Sequence, residues 1–333
     1  MKRIGLFGCK HTTLFLLEAL LTKVDIAGVV TISPAAGEKF QVADYCNLKA
    51  HCEKQGVPCY VAKKYSLKDS DDADQVANLK LDLAFVIGWQ RLVPEEVLST
   101  LSIGAFGMHG SPDDLPKGRG RSPMNWSLIE GRTHFHTNLF RYDAGVDSGD
   151  ILDTFVFSIQ RSDTAETMHF KNTLAMKRLV LRNLDRLLSG QFELRKQRDL
   201  TPTFYPKRTP KDSLIDWHQD LFKIESFVRA VTRPFNGAFS FVDSRKVTIW
   251  RAHVFETDLV DFGSRDEEPG TIAEVFPNGK FLVRCRGGLL LVHEYDTSQT
   301  LEAGMHLRSP EDAMPTFPTN RHGFHDMEGV EGT

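Results

Sequence analysis

The sequence predicts an α/β protein with two domains: a Rossmann-like, mostly parallel sheet with helices on both faces, then a small β-barrel-like (OB-type) C-terminal domain. Three observations predict it. Through the first half, short apolar runs alternate with amphipathic stretches, as strands and their covering helices do in a parallel sheet. Through the second half, apolar runs recur at short spacing between turn residues, the pattern of a small barrel. Between them lies TPTFYPKRTPKD, residues 201–212, whose prolines and basic residues have the composition of a linker.

The elements follow in order. Ile4 to Phe7 reads as a buried strand; Gly8 turns the chain, and Thr12 or Thr13 is suited to cap a helix carrying Leu16, Leu17, Leu20 and Leu21. Ile26 to Ile32 is a second strand, Gln41 to Lys54 a helix, and Val57 to Val61 a short strand. Leu81 to Ile87 is apolar enough for a central strand. Pro94-Glu95-Glu96 starts a helix with acidic residues at its positive end, and Ile103 to Met108 is the next strand. Beyond the linker come a helix over about 221–232 and strands over 238–242, 247–255, 271–276, 281–284 and 289–293. The length, 333 residues, fits about two domains. The division expected is 1–190 for the first domain, 191–207 for the linker, 208–305 for the β-rich domain and 306–333 for a loosely docked or disordered tail.

Composition narrows the function classes. The chain is 41% hydrophobic and 26% charged, which suits a soluble globular protein with a substantial core. A net charge of −3 speaks against a broad nucleic-acid surface, while a local basic patch stays open. No apolar run approaches the ~20 residues of a membrane helix, and the start MKRIGLFGCKHTTLF lacks the unbroken apolar core of a signal peptide, so no membrane partner and a cytoplasmic location are expected. The five cysteines form no CxxC pair, so reduced thiols and no metal are expected. The early glycines do not spell GxGxxG, which argues against a dinucleotide cofactor. Oligomerisation is left open.

The segment GAFGMHGSPDDLPKGRGRSPMNWSLIEG, residues 104–131, carries the strongest chemical signal. It places His109 at the end of a strand, where open parallel sheets bind ligands. Gly107, Gly110, Gly118 and Gly120 allow close backbone approach, and Ser122-Pro123 starts a helix. The competing explanation is a long surface loop with an incidental histidine. DAGVDSGDIL, residues 143–152, weighs against that: it holds three aspartates, of which Asp147 can orient an imidazole and stabilise its charged form. Aspartates are also ordinary turn residues, so not all three need a chemical role.

These segments resemble the folate-dependent formyltransferase family. The matching stretches are GEK at 37–39, GAF-x-x-HGS at 104–111, LPK-x-RGR-x-P-x-NW at 115–126, D-x-G-x-I at 147–151, RTP-x-DS at 208–213 and VRAV-x-x-P-x-x-GAFS at 228–240, in order over roughly residues 1–300. The chain is most similar to the family's sugar-nucleotide N-formyltransferases, such as the UDP-4-amino-4-deoxy-L-arabinose formyltransferase domain. The resemblance implies N10-formyltetrahydrofolate as formyl donor and the amino group of a nucleotide-linked sugar as acceptor. It also implies His109 as the catalytic histidine and Asp147 as the aspartate that raises its pKa. Arg91, Leu92, Val93 and the loop Asp143, Ala144, Gly145, Val146 and Asp147 match folate-contacting stretches, Arg121 matches an arginine near the folate, and Gly88 and Trp89 lie beside them. The alternatives are a methionyl-tRNA formyltransferase, with Lys207, Arg208 and Lys211 available for phosphate, and a catalytically impaired folate or nucleotide-sugar binder.

Two departures bear on catalysis. The family carries an asparagine two residues before the histidine, where this chain has Gly107, and its Ser-Leu-Leu-Pro is here Ser111-Pro112-Asp113-Asp114-Leu115-Pro116, two residues longer. Expected replacements for the lost oxyanion donor are a backbone N–H of the loop, protonated His109, Asn125 or a water. In one explanation the lengthened loop fills the space at Gly107 and supplies a new donor; in the other the site lacks one. His134 and His136, His322 and His325, and Trp217 and Trp250 read respectively as a strand-face pair without a third metal ligand, solvated tail residues and core packing.

Overall fold

A computed structural model describes residues 2–143, 145–256, 268–310 and 313–317. Its elements in chain order are β1 (Ile4–Phe7), α1 (His11–Leu21), β2 (Ile26–Ile32), α2 (Pro34–Lys39), α3 (Leu48–Gln55), β3 (Cys59–Ala62), α4 (Ser70–Asn78), β4 (Leu83–Val86), α5 (Glu95–Leu98) and β5 (Gly104–Ser111). There follow β6 (Arg119–Gly120), α6 (Pro123–Ile129), β7 (His134–Arg141), β8 (Ile151–Ser158), α7 (Ala165–Ser189), β9 (Phe204–Tyr205), α8 (Leu221–Val231), β10 (Ala238–Val242), β11 (Arg245–Phe255), β12 (Ile272–Val275), β13 (Phe281–Cys285) and β14 (Gly288–Thr297). The contacts divide the chain into two units, Met1–Arg119 with His136–Val156 and Lys171–Pro202, and Gly120–Phe135 with Phe157–Phe170 and Thr203–Thr333. The units interleave in sequence, whereas the division expected above was linear.

In the first unit the sheet runs β3-β2-β1-β4-β5-β7-β8, with β3 to β5 parallel and β7 antiparallel to β5. The inner strands IGLF and LAFV are buried at every position, as strands covered on both faces must be. Their side chains alternate between two cores. Ile4, Leu6, Leu83 and Phe85 pack with Leu16, Leu17 and Leu20 of α1 and with Leu179, Leu184 and Leu187 of α7. Phe7, Ala84 and Val86 pack on the other side with Val76 of α4 and Val97 of α5. This is the mostly parallel, doubly covered sheet that the sequence predicts.

In the second unit an antiparallel sheet runs β10-β11-β14-β13-β12. Alternating burial along β10 and most of β11 turns one face onto Leu221, Ile224, Val228 and Val231 of α8. A short segment joins the sheet's two ends: Ile272 N–H donates to Met305 O at 2.8 Å, and Phe241 and Arg308 exchange backbone hydrogen bonds of 2.9 and 2.7 Å.

Several local expectations are corrected. Thr12 and Thr13 lie inside α1, not at its cap: Lys10 is the N-cap, and the Thr13 hydroxyl accepts from Lys10 N–H and donates to Ile87 O. The helix expected over 41–54 is confined to α3, and an unforeseen α2 precedes it, capped by Ser33 Oγ accepting from Ala36 N–H with Pro34 at its first turn. The linker holds the short strand β9. In the tail, Phe317 packs edge-to-face on Trp126 at 4.9 Å; residues 318–333, with His322 and His325, lie outside the described residues.

Candidate active site

Strand β5 carries the site. His109 sits inside this strand, which runs on to Ser111, rather than at its end as expected. The pairing with β7 sets Gly107 opposite Phe140 and His109 opposite Asn138. Residues two apart on a strand share a face, so positions 107 and 109 look the same way.

His109 is only 7% exposed, and both ring nitrogens face acceptors. Nε2 lies 2.8 Å from the Gly118 carbonyl, to which it donates, and Nδ1 lies 3.3 Å from Asp147 Oδ2. The carbonyl can only accept, and the carboxylate beside Nδ1 fixes the orientation of the ring. Asp147 holds its place by backbone means. Its φ of 50° is left-handed, a conformation aspartate tolerates better than most residues, and Gln197 Nε2 donates to the carbonyls of Asp147 at 2.7 Å and Gly149 at 2.9 Å. Asp143 Oδ1 accepts from Gly145 N–H and from Ser148 Oγ, closing the turn before it. A side chain at Gly149 would meet Arg141 O at 1.6 Å, so glycine is required there.

The loop after His109 is tied back onto the strand. Ser111 Oγ donates to Lys117 O at 2.6 Å, and Leu115 is fully buried with Phe140 and Ile151. That fastening delivers the Gly118 carbonyl to His109. Next to it, burial holds the Arg119 guanidinium below its ordinary pKa against the opposing pull of Asp147 and Asp143. Arg119 Nη2 donates to Gln197 Oε1 at 2.6 Å.

The other predicted positions divide. Trp89 and Val93 are core residues, 7% and 3% exposed, and Trp89 packs edge-on against Tyr65 at 4.8 Å. The Trp89 indole N–H is buried without an acceptor among the described residues. Gly88 takes a φ of 74°, where a Cβ would strike Thr13 Oγ1. Arg91 lies over the Tyr65 and Phe40 rings at 5.0 and 5.4 Å, and Leu92 is 49% exposed. Val146 is half-buried, and Ala144 lies outside the described residues. Arg121 belongs to the second unit, where its N–H donates to Tyr205 O. Asn125 also belongs there, and its side-chain amide donates to Ala230 O at 2.7 Å.

Sequence reasoning missed Tyr142. Its ring fills the space at Gly107: a Cβ there would stand 1.9 Å from Tyr142 Cε2 and 2.7 Å from Cδ2. The glycine therefore makes room for Tyr142, not for the lengthened loop. The one available signal was the alternation Asn138, Phe140, Tyr142, which puts an aromatic pair on the His109 face of β7.

No helix among the described residues is long and apolar enough to cross a membrane. Nor do they contain a group of three or more His, Cys, Asp or Glu side chains placed to hold a metal ion.

The fold is an α/β sheet followed by an antiparallel sheet, with a His–Asp pair beside its fifth strand, and comparison with known proteins gives the family. The formyl transferase model matches residues 12–183, and the model of the formyl transferase C-terminal domain matches residues 207–306. The chain belongs to the formyl transferase family, and it is a formyltransferase. Among solved structures it is similar in fold to an N-formyltransferase from Helicobacter canadensis in complex with folinic acid and dTDP-3-aminofucose, at 16% identity and a TM-score of 0.63, covering 89% of this chain and 100% of that one. It is likewise similar to WlaRD, a sugar 3N-formyl transferase solved with dTDP and 5-N-formyl-THF, at 15% identity, TM-score 0.64 and coverage of 90% and 99%. Methionyl-tRNA formyltransferase from Clostridium thermocellum matches at 17% identity, TM-score 0.53 and coverage of 91% and 100%.

Proposed function

We propose that this enzyme moves the formyl group of N10-formyltetrahydrofolate to the amino group of a nucleotide-linked amino sugar, with His109 and Asp147 handling the proton. The observation that carries the reading is the His109–Asp147 pair, with Nδ1 and Oδ2 3.3 Å apart, the histidine on β5 and the aspartate on the turn that Gln197 fastens. Structural relatives were crystallised with folate compounds and with a dTDP-amino sugar or dTDP, which supports the donor and acceptor classes. Half-buried Arg91, exposed Leu92, Asp143 and half-buried Val146 are the groups offered to a folate.

In the reaction the amine nitrogen attacks the formyl carbon, charge gathers on the carbonyl oxygen, the bond from that carbon to N10 breaks, and the amine's proton ends on N10. His109 is suited to carry that proton once Nε2 exchanges the Gly118 carbonyl for substrate. Asp147 orients the ring and stabilises its charged form. The test is formylation of a panel of nucleotide amino sugars, read by mass spectrometry, with wild type, His109→Ala and Asp147→Asn. Each variant is expected to lose about 10²–10⁴-fold in kcat while folding normally. Near-wild-type turnover in either variant defeats the mechanism, and salt-sensitive formylation of charged tRNA in place of the sugars moves the acceptor to the tRNA class.

A further inference from the structure

We infer that Tyr142 is a catalytic residue, its phenol donating a hydrogen bond to the carbonyl oxygen of the transferring formyl group in place of the carboxamide that the family carries at position 107. The inference rests on the formyl-transfer reading above. Four observations carry it.

The first is shared volume. The absent Cβ of Gly107 would stand 1.9 Å from Tyr142 Cε2, 2.7 Å from Cδ2 and 3.0 Å from Cζ, so the Cδ2–Cε2 edge of the ring, one atom from the carbon that bears the hydroxyl, lies where a side chain at 107 would begin. The second is direction. Positions 107 and 109 share a face of β5, and Tyr142 N–H donates to Ala105 O, which continues the β5–β7 pairing and puts Tyr142 on that same face. The third is rigidity. The ring stacks on Phe140 at 5.5 Å and an interplanar angle of 11°, and Phe140 is itself 3% exposed. A donor held this way needs little reorganisation as charge develops. The fourth is availability. Tyr142 is half-buried, and its hydroxyl makes no hydrogen bond with the described residues. Burial, and after it the charge of Asp147, push the phenol above its ordinary pKa, so it stays a donor through the neutral range.

This also answers why the chain does without the asparagine. Glycine and tyrosine exchange roles across two paired strands: the small residue stands where the family has the donor, and the donor arrives from the neighbouring strand.

The test is Tyr142→Phe, which keeps the ring and removes only a hydroxyl that bonds no described residue. Formyl transfer from N10-formyltetrahydrofolate to the best amino-sugar acceptor is measured for wild type, Tyr142→Phe and His109→Ala, with donor KM and thermal melting alongside. The expected result is a fall in kcat of about 10²–10³-fold, the cost of losing one oxyanion donor, with KM changed less than twofold and Tm within a degree of wild type. If Tyr142→Phe keeps kcat within threefold of wild type while His109→Ala is disabled, the role of Tyr142 is overturned and the formyl-transfer reading stands. If wild type forms no formylated product with any acceptor, the underlying reading falls and this inference falls with it.

Discussion

Replacing Gly107 by asparagine restores the family residue, and the structure predicts that it harms the enzyme. The new Cβ would sit 1.9 Å from Tyr142 Cε2, where ordinary contact begins near 3.4 Å, so the ring has to retreat by about 1.5 Å before the carboxamide is even placed. The ring is stacked on buried Phe140, and the backbone N–H of Tyr142 is tied to Ala105 O, which leaves little slack for the retreat. Overpacking of this kind costs about 1–3 kcal/mol. At roughly 2–4 °C per kcal/mol for domains of this size, Gly107→Asn should lower Tm by several degrees. Turnover should fall too, because two donors compete for one volume and sites tolerate only about 0.5 Å of misplacement. The assay is steady-state kinetics and thermal melting of Gly107→Asn beside Gly107→Asn/Tyr142→Ala. Vacating the ring's space should return stability toward wild type, a coupling that only contacting residues show. The reasoning is refuted if Gly107→Asn raises kcat, by as much as about 10²-fold, with little change in KM. That outcome would mean the wild-type site lacks a donor and the tyrosine gives way freely.

Gln197→Ala removes the two hydrogen bonds that hold the Asp147 and Gly149 carbonyls. It is expected to cost about 1–3 kcal/mol in urea unfolding and to lower kcat more than it raises KM, since the loosened turn presents Asp147 poorly to His109. Limited proteolysis is expected to release a stable N-terminal fragment ending between residues 190 and 208. Because residues 120–135 and 157–170 cluster with the second unit, a stable fragment ending near residue 120 would instead make the interleaved units the true folding domains.

Legibility followed physical cause. Ile4–Phe7, Ile26–Ile32 and Ala238–Val242 could be read to the residue, because apolar runs bounded by turn residues, or clean alternation, leave a strand little choice. Helix α2 could not: Pro-Ala-Ala-Gly-Glu-Lys has no apolar stripe, and Ser33-Pro34 was its only start signal. Thr13 looked like a cap because threonine often is one, yet it is the third helical residue, its hydroxyl accepting from the Lys10 N–H and donating to Ile87 O. At the site, the motifs were enough to single out His109 and Asp147 as a pair. They said nothing of Tyr142 or Gln197, and marked Gly118 only as a place of close backbone approach, because these residues reach the pair through strand pairing and loop return, and no local spacing encodes that.

The segment from Met305 to Arg308 bonds to Gly270 and Ile272 at one end of the antiparallel sheet and to Phe241 at the other. Exposed strand edges are templates on which other chains can pair and aggregate. Here both edges are occupied by the same few residues, a clasp assembled last along the chain. Ile215 N–H, from before the sheet, already covers part of the β10 edge by donating to Phe239 O, but the rest of that edge and the whole β12 edge wait until nearly the whole domain has left the ribosome. The clasp then finishes both flanks in one step.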